Sequence, residues 1–347
     1  GAWNVFDGNG STGGEYYWAK SSYRKHNGNY SAWCVGGGAN GGTLAPGSTY
    51  RANASSHMVY GPINLSDVNW AALSFYVRLN TEQRYDYFLF MASVNGTDFY
   101  GYGLSGSTGD SWIPFSLALT DVPTLGDISG SSSVWITFGF TSDGTTQYEG
   151  VYLDDIVLEQ GNAEELSVIS SFASPGSSPW GLTYDGTNLW NADDNRDRAY
   201  KLSTSGTTIS SFATPSSSPA GMAWDGANLW LADDNTGKIY KLTTSGSIVS
   251  SFQAPGDLPT GLAWDGNNLW LCDLLETTIW KLTTTGQVVT SFSASGSSHS
   301  GLCWNGRSLL LSDSGTLLLY ELDTAGNIQR YYLPPELFPT DLAWDGS

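Results

Sequence analysis

The hydrophobic and polar residues of this chain alternate in short runs, and turns rich in Gly, Ser, Thr, Asn and Asp separate those runs. Alternation with a period of two places successive side chains on opposite faces of a β-strand. In the first half of the chain, the runs predict strands at residues 73–79, 87–94, 112–119, 134–140 and 151–158. The longest apolar runs are far shorter than the ~20 residues that a membrane-spanning helix needs. The pattern therefore predicts an all-β protein with no membrane insertion.

The second half of the chain repeats itself. Its register is marked by glycines that lie 40 residues apart, namely Gly181, Gly221, Gly261 and Gly301. Each unit reads close to P-x-G-L-x-W-D-G-x-x-L-W-x-A-D and continues with runs such as KIYKL and IVSSF, which makes four short strands. Asp-Gly or Asn-Gly pairs between the first two strands favour tight hairpins. Four strands in 40 residues, repeated in tandem, predict the blades of a β-propeller rather than a solenoid.

Over residues 167–347, the repeat motif resembles the NHL-type and related extracellular propeller repeats. The resemblance implies a fold and leaves the function open, because propellers host many activities. The array holds four blades and part of a fifth: residues 168–172 match an outermost strand, and residues 342–344 match an innermost one. The two middle strands of that shared blade are missing. Since unpaired strand edges are avoided in soluble proteins, we expect the chain to continue beyond Ser347 or another chain to complete the blade.

Residues 1–160 contain no repeat, and we predict that they form a β-sandwich, with residues 161–166 as a short linker. Three stretches carry a resemblance: YRKHNGNYSAWC from Tyr23, YDYF and SVNGT from Tyr85 and Ser93, and GVYLDDI from Gly150. They resemble the jelly-roll accessory domain found beside immune inhibitor A type secreted metallopeptidases, which is similar to carbohydrate-binding and MAM-like sandwiches. The resemblance implies a non-catalytic jelly roll, often with a structural Ca²⁺ where the first and last strands meet.

Calcium needs several hard oxygen ligands. The acidic residues near those two ends of the domain are Asp7, Glu149, Asp154 and Asp155. We predict Asp7 and Asp155 as the main ligands. Alternation places Asp154 and Asp155 on opposite faces of one strand, so that one carboxylate faces the ion while the other faces solvent. Glu82 and Asp86 form a second candidate pair. The alternative is that these groups are solvated turn acids.

Other polar residues recur once per repeat. One carboxylate ends the second strand of every unit, at Asp193, Asp233, Asp273 and Asp313. We expect each to accept hydrogen bonds from its own turn rather than to hold a cation in a ring. Cys272 and Cys303 replace alanines at packed positions, which predicts buried free thiols; a disulfide between neighbouring blades is the alternative.

Charged residues make up 14% of the chain, and 33 acidic against 14 basic residues give a net charge of -19. This sign excludes nucleic acid as a partner and suits a secreted protein. Five glycosylation sequons all fall in the first domain, at Asn9, Asn29, Asn53, Asn64 and Asn95. They predict a glycoprotein, or else they reflect the Asn/Ser/Thr-rich composition alone.

The sequence has no H-E-x-x-H, no G-x-S-x-G and no P-loop, so we predict that the chain is not an enzyme by itself. His299, at the start of an inner strand, is the one candidate base for propeller chemistry. We predict an extracellular, non-catalytic binding or adhesion protein that recognises glycans or proteins. Two alternatives remain open: an accessory region of a larger secreted hydrolase, such as a peptidase, or a self-assembling subunit of an extracellular fibre or surface layer.

Overall fold

The computed structural model describes residues 2–10 and 14–346. Nearly all of the regular secondary structure in this part of the chain is β-strand, which confirms the predicted all-β class. It divides into two compact units, Gly1–Asn162 and Ala163–Ser347, and the boundary lies inside the predicted linker. None of the helices in the described ranges has the length and apolar character needed to cross a membrane.

The first unit contains two five-stranded antiparallel sheets that enclose one hydrophobic core. One sheet has the order β1-β4-β9-β6-β7, and the other has the order β2-β3-β10-β5-β8. Its strands are β1 (Asn4–Asp7), β2 (Tyr17–Ser21), β3 (Ser31–Gly37), β4 (Ser55–Ile63), β5 (Trp70–Asn80), β6 (Tyr87–Ser93), β7 (Tyr100–Leu104), β8 (Ile113–Ala118), β9 (Val134–Thr141) and β10 (Gly150–Gly161), with a short helix α1 (Gly38–Gly41) after β3.

The core explains why the alternating runs form strands. On β5, Leu73, Phe75 and Val77 point into the core, where Phe75 meets Phe88 and Phe138 edge to face at ring-centroid distances of 5.9 and 4.9 Å. Alternate side chains of a strand share one face, so burying that face against the opposite sheet fixes the register. The five predicted strands of this unit all form, whereas β1 to β4 and β7 were not predicted.

The second unit contains four sheets, here numbered blades 1 to 4, each built on four antiparallel strands, and their arrangement is propeller-like. Blade 1 holds β12 (Pro179–Tyr184), β13 (Leu189–Asp193), β14 (Arg198–Leu202) and β15 (Thr208–Ala213), with a 3₁₀ turn at Asp194–Arg196. Blades 2 to 4 repeat this plan at a spacing of 40 residues: β16 (Pro219–Trp224), β17 (Leu229–Asp233), β18 (Lys238–Leu242), β19 (Ile248–Gln253), β20 (Pro259–Trp264), β21 (Leu269–Asp273), β22 (Thr278–Leu282), β23 (Val288–Ser293), β24 (His299–Trp304), β25 (Leu309–Asp313), β26 (Leu318–Leu322) and β27 (Ile328–Leu333).

Neighbouring blades pack through large and small side chains that alternate between them. Trp190 and Ala192 of blade 1, for example, pack against Met222, Leu229 and Leu231 of blade 2. The same residue types recur between blades 2 and 3, where Trp230 and Ala232 meet their partners in the next blade. The sequence repeat therefore specifies the contacts between neighbouring blades as well as the sheet of each blade.

The two ends of the array differ from the sequence prediction. Residues 168–172 and 342–344 were matched to an outer and an inner strand, yet neither segment forms a strand, and Ile169 is 98% exposed. The predicted linker is also not free, because β11 (Glu164–Glu165) lies in it and pairs in parallel with β27. An exposed blade edge thus gains a fifth strand from within the second unit.

Candidate functional site

A groove opens in the first unit between β1 and β4 of one sheet and β2, β3 and β10 of the other. We call it the sandwich groove, and its volume is about 350 Å³, which falls in the range of small-molecule sites. It is lined by Trp3, Val5, Trp18, Ala19, Lys20, Tyr30, Ser31, Ala32, Met58, Leu153, Asp154, Asp155 and Ile156. A second cavity of about 420 Å³ shares Trp3 and Ile156 with the groove. The site therefore combines aromatic rings with two carboxylates and an amine.

A β-bulge shapes the carboxylate wall of the groove. The pairing of β10 with β5 slips between Asp154 and Val157, so that two residues of β10 lie opposite Phe75 alone. Asp155 adopts a left-handed backbone with φ of 48°, a conformation that Asp tolerates better than most residues. The bulge brings Asp154 and Asp155 to the same groove, although simple alternation would separate them.

These two carboxylates hold the loop between β2 and β3. Asp154 Oδ2 accepts hydrogen bonds from the backbone N–H groups of His26 and Asn27, at 2.8 and 3.1 Å. Asp155 Oδ2 lies 2.8 Å from His26 Nδ1, and the His26 ring stacks on Tyr76 at a centroid distance of 3.8 Å. The loop is thus held through the backbone of His26 and Asn27 and through the side chain of His26.

The same loop carries an exposed aromatic ring to the rim of the groove. Tyr30 is 50% exposed, and the Lys20 ammonium lies 3.5 Å from the centre of its ring. Deeper in the groove wall, Trp18 is only 2% exposed, and its indole Nε1 has no hydrogen-bond partner among the described residues. A buried N–H without an acceptor lowers the stability of the folded state.

The acids predicted to bind calcium do not form one cluster among the described residues. Asp7 lies on β1 and accepts hydrogen bonds from the N–H groups of Asn9 and Tyr16, at 3.0 and 2.9 Å. Asp154 and Asp155 lie on the other sheet. The oxygens of the four predicted ligands therefore do not come together within 4.8 Å of one another. The first and last strands of the unit belong to different sheets, which the sequence pattern alone does not reveal.

Glu149, the fourth predicted ligand, is held by two arginines. Its Oε1 lies 2.9 Å from Arg24 Nε, and its Oε2 lies 3.4 Å from Arg78 Nη1. Burial alone would raise the pKa of Glu149, but the hydrogen bond from Arg24 and the charge of Arg78 lower it below its ordinary value. The carboxylate is therefore paired with two guanidinium groups of the same unit.

The second candidate pair does come together, with a third acid that the sequence did not suggest. Glu82, Asp86 and Asp143 place one carboxylate oxygen each within 4.8 Å of the others, and they are the one such group among the described residues. Asp86 is fully buried, accepts a hydrogen bond from Tyr50 and another from the Asp143 N–H at 2.7 Å, and burial raises its pKa. These oxygens are hard donors of the kind that Ca²⁺ binds.

In the second unit, the recurring aspartates have structural partners. Asp313 accepts hydrogen bonds from the N–H groups of Ser297, Ser298 and Thr316, at 2.9, 2.8 and 2.6 Å. Asp193 and Asp273 accept equivalent bonds from their own turns. This is the role expected from the sequence, and each of these three carboxylates joins the turn before a blade to the turn between its second and third strands. Asp233 accepts hydrogen bonds from Thr236 in the latter turn.

His299, the candidate base, is buried and is 1% exposed. Its Nε2 lies 2.9 Å from the Ser295 carbonyl oxygen and 3.7 Å from Asp313 Oδ2. A general base must reach its substrate within hydrogen-bond distance. The position of His299 inside the packed blade therefore does not suit that role.

The predicted glycosylation positions differ in accessibility. Asn29, Asn53, Asn64 and Asn95 are exposed, whereas Asn9 is half-buried and donates a hydrogen bond from Nδ2 to the Asn53 carbonyl at 2.6 Å. Asn95 Oδ1 accepts hydrogen bonds from the N–H groups of Thr97 and Asp98. Four of the five side chains thus lie where an enzyme could reach them.

Comparisons with known proteins identify no family. No protein-family model and no curated protein matches the chain. Among solved structures, a glutaminyl cyclase from Myxococcus xanthus is 13% identical, over 48% of this chain and 80% of that chain, with a TM-score of 0.42. A streptogramin B lyase is 17% identical, over 83% of this chain and 91% of that chain, with a TM-score of 0.37. TmCBM61, solved with β-1,4-galactotriose, is 10% identical, over 46% of this chain and 88% of that chain, with a TM-score of 0.30.

The first two of these neighbours have propeller-like folds. At such identities and TM-scores, none of the three bears on what this chain does. The resemblance of the first unit to the immune inhibitor A accessory domain gains no support from the comparisons and stays a prediction.

Sequence reasoning missed most of the sandwich groove. Trp3, Trp18 and Lys20 were not singled out, because Trp3 directly precedes β1 and the other two lie on β2, and these strands are only four and five residues long. The signal that could have found them is the density of aromatic residues in the first 35 positions, since exposed Trp and Tyr beside polar groups are typical of binding surfaces.

Proposed function

We propose that the chain is an extracellular, non-catalytic binding protein whose jelly-roll unit recognises glycans in the sandwich groove, beside a propeller unit. One observation carries the proposal: Trp18, Tyr30 and Asp155 line one groove, and the buried Trp18 N–H has no hydrogen-bond partner among the described residues. Sugars offer apolar C–H faces to aromatic rings, hydroxyl acceptors to N–H groups and hydroxyl donors to carboxylates.

The chemistry of the groove favours binding over catalysis. Asp154 and His26 are engaged in holding the loop, and the aromatic rings offer contact area rather than a nucleophile or a base. Asp155 uses one oxygen for His26, which leaves the second carboxylate oxygen to accept a hydrogen bond from a sugar hydroxyl. The acidic, Gly/Ser/Thr-rich composition agrees with a role outside the cell.

The test is binding of the full chain to a glycan array, followed by titration of the best oligosaccharide with tryptophan fluorescence as the readout. Tyr30→Ala should weaken affinity by roughly 2- to 10-fold, because an aromatic contact contributes about 0.5–1.5 kcal/mol. Tyr85→Ala is the matched control, since Tyr85 is 61% exposed and lies outside the groove.

Two results would contradict the proposal. One is the absence of any glycan bound at millimolar concentration. The other is equal affinity of the Tyr30 and Tyr85 variants for the best oligosaccharide, which would place the binding surface elsewhere.

A further inference from the structure

The second cavity of the first unit continues the sandwich groove along the same two strands, β4 of one sheet and β10 of the other. On β10, the groove takes residues 153–156 and the cavity takes alternate residues from Ile156 to Gln160. On β4, the groove takes Met58, and the cavity takes Tyr60 two positions further along. The groove and the cavity are therefore consecutive parts of one furrow between the two sheets, and their volumes are about 350 and 420 Å³.

The lining of the furrow changes from polar to apolar at the β-bulge of β10. Asp154 and Asp155 line the groove at the start of the bulge. Beyond them, Ile156 and Leu158 are half-buried and line the cavity at alternate positions, as one face of a strand does. One strand thus presents carboxylates to the groove and aliphatic side chains to the cavity.

The cavity is apolar over most of its lining. Leu73 and Ile136 are 0% and 3% exposed, and they belong to the core of the unit. Its two amide side chains, Asn64 and Gln160, are exposed and lie where the cavity meets solvent. Protein interiors contain few voids larger than a water molecule, so a cavity of this size between two sheets is unusual. An apolar group that fills it removes the surrounding side chains from water.

Trp3 lies where the groove and the cavity meet. It directly precedes β1 and is half-buried, and with Ile156 it lines both spaces. The centre of its ring lies 5.4 Å from that of Tyr60 and 5.7 Å from that of Phe138. An indole ring packs against the C–H face of a sugar as well as against hydrocarbon. The junction therefore suits a ligand that changes from sugar to hydrocarbon at this point.

We propose that the ligand of the furrow is a glycoside with a short alkyl aglycone, with its sugar in the sandwich groove and its aglycone in the cavity. This inference rests on the function proposed above and names the ligand class of the same site. Lys20 and Asp155 of the groove offer hydrogen-bond partners to sugar hydroxyls. A second sugar in the cavity would instead bury hydroxyls against Leu73, Ile136 and Leu158, which offer them no hydrogen bond.

The test is calorimetric titration of the full chain with methyl, butyl and hexyl β-D-glucopyranoside and with the same three β-D-galactopyranosides. Affinity in at least one series should rise roughly two- to fourfold for each added methylene, because each methylene moves from water into an apolar site. The comparison ligand is 1-hexanol, which lacks the sugar. It should bind at least about tenfold more weakly than the hexyl glycoside, because it leaves the groove empty.

Two adjacent substitutions on β10 locate the alkyl chain. Leu158→Gln places an amide in the cavity lining, and should weaken binding of the hexyl glycoside by roughly fivefold or more while methyl glycoside binding changes less than about twofold. Val157→Gln is the matched control, because Val157 is 48% exposed and lines neither the groove nor the cavity. It should leave both affinities unchanged.

Three results would overturn the inference: equal affinity for the methyl and hexyl glycosides, a dependence on chain length that persists in Leu158→Gln, or 1-hexanol binding as tightly as the hexyl glycoside. The first two need no change in the glycan-array result. The proposed function fails by a different measurement, namely when Tyr30→Ala leaves the affinity for the best oligosaccharide unchanged.

Discussion

At the residue scale, a three-residue motif stabilises each of the first three blades. In blade 2, Asp225 Oδ2 accepts hydrogen bonds from Trp230 Nε1 at 3.0 Å and from Lys241 Nζ at 2.8 Å. The Lys241 ammonium also lies 4.9 Å from the centre of the Trp230 ring. Burial would raise the pKa of Asp225, but its hydrogen bonds, that from Lys241 foremost, lower it overall. The motif recurs at Asp185, Trp190 and Lys201, and at Asp265, Trp270 and Lys281.

Blade 4 replaces all three members of the motif together. Asn305, Leu310 and Glu321 take the positions of the aspartate, the tryptophan and the lysine. Glu321 Oε2 instead accepts a hydrogen bond from Tyr332 at 3.0 Å and lies 3.9 Å from Arg330 Nε. A reversed charge at the lysine position is therefore tolerated where the aspartate has become neutral.

This comparison predicts a coupled mutant pair in blade 2. Lys241→Glu alone places two carboxylates together in a half-buried site, and should cost about 2–3 kcal/mol in the free energy of unfolding. Adding Asp225→Asn removes one of the two charges and should recover at least ~1 kcal/mol. Urea denaturation of the wild type, both single variants and the double variant measures this coupling. Additive effects of the two substitutions would contradict the argument.

At the element scale, the turns between strands depend on glycine for two separable reasons. Gly226, in the Asp-Gly turn of blade 2, has φ of +95° and nothing within 4 Å of an added Cβ. Gly246, in the turn between the third and fourth strands, has φ of +87°, and its added Cβ would lie 2.6 Å from the Phe212 ring. The first turn needs the left-handed backbone alone, and the second needs space as well.

Alanine substitutions distinguish these two needs. Gly226→Ala should cost about 1 kcal/mol in unfolding free energy through backbone strain. Gly246→Ala adds a clash with a ring of the neighbouring blade and should cost about 2–4 kcal/mol. Guanidinium denaturation of the two variants beside the wild type gives both values. Similar losses in the two variants would show that Phe212 moves away at little cost.

The contrast between the two units shows which elements a sequence can specify. In the second unit, hairpin turns such as Asp225-Gly226 fix local pairings. The strands that the repeat pattern predicts for blade 1, at residues 180–184, 188–193, 198–203 and 207–212, therefore match the observed ones within two residues. In the first unit, β10 pairs with β5 about 80 residues earlier, and the bulge at Asp155 exists only in that pairing. The sandwich groove depends on such long-range pairs, and for that reason most of its residues escaped prediction, although Asp154 and Asp155 had been singled out.

At the scale of the whole molecule, the three cysteines divide between two separate cores. Cys34 lies in the core of the first unit, and Cys272 and Cys303 lie in blades 3 and 4; all three are buried and free. Burial raises the pKa of each thiol, that of Cys272 to about 12. The thiolate is the reactive form, so the folded chain should resist alkylation at neutral pH. This agrees with the predicted buried thiols rather than with an inter-blade disulfide.

The thiols therefore report on the opening of each unit. Native protein should give almost no reaction with a thiol reagent, and denatured protein should give three thiols per chain. A count of one after denaturation without reductant would reveal a disulfide between Cys272 and Cys303. In mild denaturant, Lys241→Glu should speed the labelling of Cys272 and Cys303, which lie in the same unit as the substitution. Cys34 should react at the wild-type rate, because each unit has its own core. Mass spectrometry of labelled peptides measures the three rates. Equal acceleration at Cys34 would show that both units unfold in one cooperative step.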